Sequence, residues 1–252
     1  MQTQPLGDDG PNILFVDIET TPLIGPAWKV YDTMLMRVLS ESYMLCVTYA
    51  KGDGPVEYIR KAKDKKPNDK TLTKKVADLL EWADIIVAHN GDQFDVKRIQ
   101  DRMLFWDVLP VSAFQTVDTL KASRAKFGRH SHALGALAKT HKLTLKESNS
   151  GIDLWLACMN NDPEAWEEME RYARGDIVTL REWYYKLRPW ITTHPNMGHW
   201  SALPACKACG SSDLVKWGFH RTNASVFQRY RCKNCGSTAT RNKSREGGPW
   251  LR

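Results

Sequence analysis

The sequence predicts an α/β protein: a mixed β-sheet flanked by helices, followed by a small C-terminal module organised by cysteines. Three observations point there. Short apolar runs such as Ile13-Leu-Phe-Val-Asp-Ile18 and Asp84-Ile-Ile-Val-Ala-His89 have the length and continuity of strands covered on both faces. Between them lie longer segments with helix-start chemistry. Two C-x-x-C pairs fall in the last fifth of the chain, where some 50 residues cannot build much of a core.

In chain order, residues 13–18 form the first strand. Residues 44–50 and 56–60 read as two more, and Lys51-Gly-Asp-Gly-Pro55 between them is turn chemistry that makes the pair a hairpin. The Lys-rich stretch 61–70 is a solvated loop, and a helix starting near Thr71 or Thr73 ends near Trp82. A buried strand follows at 84–89, then a helix at 95–105, a strand at 114–117 and a helix at 133–140. The last long helix is the best marked. Asp162-Pro163 is a cap followed by a first-turn proline, and Glu164, Glu167 and Glu168 sit where the helix dipole favours negative charge. Arg188-Pro189 stops it after Leu187. Residues 189–204 hold three prolines and a glycine without periodicity, which reads as a linker of limited flexibility between a large module, 1–188, and a small one, 205–252.

The net charge of +7 is unevenly placed. Residues 201–252 carry ten Lys/Arg against Asp213 and Glu246, a net of +8, which leaves the first 200 residues at −1. A basic module of this kind favours a polyanionic partner. With 42% hydrophobic and 26% charged residues the composition is globular rather than disordered. No apolar run approaches the ~18 residues that span a bilayer, and the first nine residues lack the basic and apolar regions of a secretory leader. A reducing, cytoplasmic setting is expected, where six cysteines act as metal ligands or buried thiols.

Cys206-Lys-Ala-Cys209-Gly and Cys232-Lys-Asn-Cys235-Gly are two knuckles that bring four thiolates together, the set a structural Zn²⁺ takes. In so small a module the ion supplies folding energy. Between the knuckles, Arg221, Arg229 and Arg231 alternate with Trp217, Phe219, Phe227 and Tyr230, a pattern suited to phosphate contact and base stacking. Trp217 and Tyr230 are expected to pack while the arginines face outward. His220 is not needed as a ligand, and His194 and His199 read as ordinary linker residues. The segment through Tyr230-Arg-Cys-Lys-Asn-Cys-Gly236 resembles zinc ribbons of transposase and transcription-factor type.

In the large module, Asp17 and Glu19 lie two apart on a buried strand and so share one face. Buried carboxylates need a compensating cation, and paired oxygen ligands suit Mg²⁺ or Mn²⁺. His89-Asn90-Gly-Asp-Gln-Phe94-Asp95 follows a buried strand and places Asp95 at a helix start. Asp92 competes with it, and the preceding Phe94 favours Asp95. Tyr172 and Asp176 are i and i+4 on the long helix, with Gly175 expected to permit close backbone approach. Asp118 closes another strand within reach of the same site. Asp153 and Asp162 read as caps, and Cys46 and Cys158 as core thiols. Residues 119–146 hold seven Lys/Arg and three His but no acid, which is either solvated surface or a basic wall guiding substrate.

Asp17-Ile-Glu19-Thr-Thr21, Asn90-x-x-x-Phe94-Asp95 and Tyr172-x-x-x-Asp176 resemble the three motifs of the DEDD, or DnaQ-like, 3′→5′ exonucleases over roughly residues 12–188. Tyrosine four residues before the last aspartate is similar to the DEDDy branch; a DEDDh protein would place histidine at 171, where this chain has Arg171. The resemblance implies an RNase H-like fold and two Mg²⁺ or Mn²⁺ ions held by Asp17, Glu19, Asp95 and Asp176. It further implies that Tyr172 orients the attacking water, that Thr20, Thr21 and Asn90 shape the substrate site, and that nucleoside 5′-monophosphates leave from a 3′ end. The expected partners are a DNA or RNA with a 3′ end and, for any proofreading role, a replication or repair protein. DNA is somewhat favoured. A non-enzymatic nucleic-acid-binding protein and a structure-selective endonuclease are the alternatives.

Overall fold

Strand β1 (Ile13–Thr20) is the middle of the sheet because both its faces are apolar. Ile13 and Phe15 pack on one side, Leu14, Val16 and Ile18 on the other. In the computed structural model, which describes residues 10–29, 34–63, 68–145, 149–223 and 226–240, the sheet order is β3-β2-β1-β4-β5. Strands β2 (Met44–Lys51) and β3 (Val56–Arg60) are antiparallel, and β4 (Ile85–Ala88) and β5 (Gln115–Asp118) run parallel to β1. This is the predicted mixed sheet, hairpin first and crossovers after. The loop expected at 61–70 is seen only in part; residues 1–9, Lys146 and the basic residues 241–252 lie outside the described residues.

Helices α1 (Lys70–Trp82) and α2 (Asp95–Phe105) cover one face, and α6 (Pro163–Leu187) covers the other. Asp162 caps α6 as expected, accepting the N–H groups of Glu164 and Ala165. Its buried residues, among them Met169, Tyr172, Ala173, Asp176, Leu180, Trp183 and Leu187, follow a three-to-four spacing that faces the sheet. Asp176 stands in the middle of that stripe, where an apolar side chain would serve packing better.

A buried ion pair ties the α1–α2 face to the sheet. Asp69 receives Arg102 through Nη2 (2.7 Å) and Nε (2.9 Å), Trp106 Nε1 (2.6 Å) and the Met44 N–H (2.9 Å). Every acceptor position is used, so removing either partner would strand a buried charge at a cost of about 3–5 kcal/mol.

Of the three remaining helices, two carry no sequence signal that predicts them and one is the helix expected. Helix α3 (Thr119–Lys126) begins under the Asp118 cap, α4 (Leu134–His141) is the one expected near 133–140, and α5 (Ile152–Met159) packs on α6. Asp153 lies in the first turn of α5 and is not its cap. Residues 188–200 are packed rather than extended: Ile191 and Met197 join the core under α6. His194 is buried there, its Nε2 accepting the Tyr184 hydroxyl (2.8 Å) and its Nδ1 donating to the Pro195 carbonyl (2.7 Å), so it is not an ordinary linker residue.

The C-terminal region is a three-stranded antiparallel sheet, β6 (Leu214–Arg221), β7 (Val226–Cys232) and β8 (Thr238–Thr240). Its buried cluster consists of Cys206, Ala208, Cys209, Cys232 and Cys235, with Leu214 against them. Trp217 is 46% exposed and Phe219 53%, so the expectation that Trp217 packs inward is corrected.

Candidate active site and four-cysteine centre

Strand parity carries Asp17 and Glu19 to the face of β1 that α6 covers, the same side as Ile13 and Phe15. Asp176, one turn of α6 beyond Tyr172, meets them there. One carboxylate oxygen from each of Asp17, Glu19 and Asp176 lies within 4.8 Å of the others. The local field is strongly negative. The Tyr172 phenol is driven well above its ordinary pKa, by burial first and then by Asp176, Glu19 and Asp17. Cys46, paired with Glu19 in the β1–β2 register, is raised likewise by burial and then by Glu19. Like charges this close, on a strand and a helix packed together through apolar side chains, fit a divalent cation with oxygen ligands.

Asp95 is placed beside this group and not within it. It is 2% exposed at the first residue of α2, and its Oδ1 accepts the Ile18 N–H at 3.0 Å, between the two strand carboxylates. Burial pushes its pKa up to about 7, against backbone hydrogen bonds that lower it. Asp92 turns away to the rim, where Oδ2 is 3.5 Å from Lys121. Asp118 spends its oxygens structurally: Oδ1 accepts from Asn90, Leu120 and Lys121, and Oδ2 from Asp92.

The turn between β4 and α2 explains its own sequence. Asn90 has φ 71°, a left-handed conformation that asparagine tolerates. A Cβ at Gly91 would lie 2.4 Å from that of Ala88, so only glycine fits. At Gly175 a Cβ would meet nothing within 4 Å, so the close approach expected there is not made. Thr20 is half-buried at the end of β1, whereas Thr21 is buried and its hydroxyl accepts the Tyr43 N–H at 3.1 Å. Tyr172 is held by an edge contact with Trp155, centroids 6.1 Å apart, and hydrogen-bonds Asp176.

Other side chains share the cavity in front of Asp17 and Asp176, notably His89, Arg124, His130 and His132. His89 was not singled out from sequence. The available signal was position: it is the first polar residue after a parallel strand's carboxyl end, where open α/β sheets place their sites.

The four cysteines form the second centre. Cys206 and Cys235 Sγ atoms are 3.7 Å apart and those of Cys209 and Cys232 3.6 Å. That is far beyond the ~2.05 Å of a disulfide and close to the ~3.8 Å edge of a tetrahedron with metal–sulfur bonds of 2.3 Å. The two knuckles are built alike: Gly210 and Gly236 have φ 74° and 80° and donate to the carbonyls of Cys206 and Cys232. The first knuckle is stitched to the connecting segment that packs under α6, the Met197 N–H donating to Lys207 O at 2.9 Å. Arg188, 8% exposed, lies over the rings of Tyr185 (5.0 Å) and Tyr184 (5.7 Å). Burial alone would lower its pKa, but Tyr184, Cys209, Tyr185 and Cys235 together raise it.

Over 136 residues the chain is 28% identical to a DNA polymerase III PolC-type of Ureaplasma parvum serovar 3 (strain ATCC 700970), an alignment that covers 54% of this chain and 9% of that protein. A solved family B DNA polymerase from the hyperthermophilic archaeon Pyrobaculum calidifontis aligns with 75% of this chain and 28% of its own at 15% identity and a TM-score of 0.49. No helix among the described residues is long and apolar enough to cross a membrane. Residues 14–188 match the RNase_H_2 family model, a span that includes the whole five-stranded sheet but the first residue of β1, with all three converging carboxylates, and by that match the chain belongs to the RNase_H superfamily.

Proposed function

We propose that this protein is a metal-dependent 3′→5′ exonuclease that hydrolyses nucleic-acid phosphodiesters to nucleoside 5′-monophosphates. The observation that carries the reading is the convergence of Asp17, Glu19 and Asp176 within 4.8 Å on an RNase_H-superfamily sheet. Asp17, Glu19 and Asp176, with Asp95 alongside, would hold two Mg²⁺ or Mn²⁺ ions. Such ions supply charge neutralisation for the phosphodiester and an activated nucleophile at neutral pH. Tyr172, kept protonated by its surroundings and with its proton directed at Asp176, would orient the attacking water through its remaining oxygen lone pairs, in the place the DEDDy branch gives its tyrosine. Thr20, Thr21 and Asn90 would help shape the substrate site, the part their motif positions give them in the DEDD family. The similarity to a DNA polymerase III PolC-type supports DNA over RNA as substrate.

The second part of the proposal assigns residues 205–252 as a zinc ribbon and 189–204 as the connection to the nuclease module at 1–188. One Zn²⁺ is held by Cys206, Cys209, Cys232 and Cys235, in keeping with their spacing. Arg221, Arg229 and Arg231 bind nucleic acid. Arg231 lies 4.8 Å over the Trp217 ring, Arg221 5.9 Å over Phe219, and Arg229 Nε donates to Trp217 O, so cations and exposed rings form one surface.

The test is a set of 3′- and 5′-labelled DNA and RNA oligonucleotides, single- and double-stranded, with Mg²⁺, Mn²⁺ or EDTA. The expected result is ion-dependent shortening from the 3′ end. Cleavage of circular or end-blocked substrates would move the reading to an endonuclease, and no ion-dependent shortening of any substrate would overturn it.

A further inference from the structure

The cavity in front of Asp17 and Asp176 has a volume of about 660 Å³, and its lining includes Arg124 as well as the two carboxylates. Lining the same cavity are Arg124, from α3, and His130 and His132, from the loop that follows it. Residues 119–145 contain no acid at all. Two other cations of this stretch are engaged, Lys121 with Asp92 at 3.5 Å and Arg129 with His141 at 3.0 Å. Arg124 is exposed, and among the described residues no carboxylate pairs with it. His132 is held in place from behind. Its Nδ1 is 2.8 Å from the fully buried Ser123 hydroxyl, and its carbonyl accepts the His89 Nε2–H at 3.0 Å.

Carboxylates from β1 and α6, lining one cavity with the exposed Arg124 guanidinium and two imidazoles, suit a ligand that carries more than one phosphate. A phosphodiester cut at the carboxylates must sit against them, so side chains brought to the same cavity by α3 and the loop after it are free to act on a different phosphate. We propose that Arg124, His130 and His132 form a phosphate subsite that binds the backbone phosphate next to the scissile one and so sets the register of a strand end. The volume falls in the ~300–1,000 Å³ range of ligand sites, more than a single phosphate needs. This inference rests on the nuclease reading. The three side chains are positioning residues, since they touch the strand and not the reacting bond.

The experiment compares two substrates on the full chain: a single-stranded oligonucleotide and the p-nitrophenyl ester of thymidine 5′-monophosphate, which has a scissile phosphodiester and no neighbouring phosphate. Arg124→Gln should raise KM for the oligonucleotide about tenfold, the loss of about 1.4 kcal/mol, with kcat kept. The salt slope should fall by about 0.7, one single-strand phosphate contact. Turnover of the ester should be unchanged. His130→Gln gives the same pattern with a smaller shift, and Lys139→Gln, on α4 outside the cavity, leaves both substrates at wild-type values. Equal losses on both substrates, or no loss on the oligonucleotide, would overturn the subsite. If the wild type cleaves neither substrate, the nuclease reading falls by itself. The subsite is then decided by fluorescence anisotropy: Arg124→Gln must weaken oligonucleotide binding where Lys139→Gln does not.

Discussion

Asp17, Glu19 and Asp176 are gathered by a scaffold that has no need of them, whereas Cys206, Cys209, Cys232 and Cys235 make up most of the core they lie in. At the first centre, β1 and α6 are fixed by Ile13, Phe15, Ile177, Leu180, Trp183 and Tyr184, and the carboxylates are carried into place against their own repulsion. At the second, Leu214 is the one partly buried apolar side chain among the described residues that packs on the cysteine cluster, so under the proposed zinc assignment thiolates and ion would take over the work of a hydrophobic core. The lesson is that ligand loss should have opposite signatures: chemistry lost and fold kept at one end, fold lost and chemistry kept at the other.

The sharpest way to break that comparison is Asp176→Asn. Deleting a group that stabilises transition-state charge costs about 10²–10³-fold in turnover, and loss of an ion would add to that. Stability should hold or rise, because a buried like charge is removed from beside Asp17 and Glu19. Initial rates with labelled oligonucleotide and thermal denaturation without divalent ions measure the two halves. A marked fall in Tm would mean that the carboxylate is structural.

Cys232→Ser is the converse. It should release one equivalent of Zn²⁺, expose residues 205–240 to limited proteolysis and weaken oligonucleotide binding about tenfold, or 1.4 kcal/mol. Hydrolysis of the p-nitrophenyl ester of thymidine 5′-monophosphate should persist. Metal content by atomic absorption and the salt dependence of Kd check it; wild-type affinity in the zinc-free variant would remove the ribbon from nucleic-acid binding.

Much of this contrast was legible before any coordinates, and the reasons differ by residue. The α6 boundaries were readable because Asp162-Pro163 and Arg188-Pro189 act locally, through capping and backbone sterics. The Asp17/Glu19 pairing was readable because strand parity is a local rule. Helix α5 was missed because Ile152-Asp-Leu-Trp-Leu-Ala-Cys-Met159 is apolar nearly all round, with no polar face to set a period. Helix α3 is short and has few apolar residues to make a stripe. The Asp69–Arg102 pair and the separation of Asp95 from the other three carboxylates depend on partners 33 and 77 positions away, which no local pattern encodes. His194 was misread because a histidine among prolines looks solvated until Tyr184 is seen above it.

That histidine sits under α6 in the segment whose Met197 hydrogen-bonds the first knuckle, and it gives the comparison a pH dependence. Burial lowers its pKa from the usual 6.5 to about 4, more than the Pro195 hydrogen bond restores. The unfolded chain takes up a proton near 6.5 while the folded one waits until about 4. The stabilisation is therefore complete above 6.5 and is lost as pH falls through that window, by roughly 3 kcal/mol. Urea denaturation of wild type and His194→Asn at pH 7 and pH 4 should show the wild type losing about that much more. Parallel losses in the two proteins would mean that His194 titrates normally.

The smallest expected effect concerns the helix that carries Asp176. Gly175 lies in the interior of α6 with helical backbone, its carbonyl accepts the Thr179 hydroxyl, and a Cβ there meets nothing within 4 Å. Alanine should therefore stabilise by about 0.5–1 kcal/mol through reduced unfolded-chain entropy, a rise of about 2–4 °C at most for a module of this size. Glycine beside Asp176, a proposed metal ligand, then has to be explained by what passes in front of it. If Gly175→Ala raises Tm while lowering kcat/KM on the oligonucleotide but not on the nucleotide ester, the open space at Gly175 is part of the strand's path. If both substrates are unaffected, the scaffold around the carboxylates tolerates change up to the residue next to its ligand, as expected of a centre that its fold builds independently. A loss of stability would contradict the open space itself.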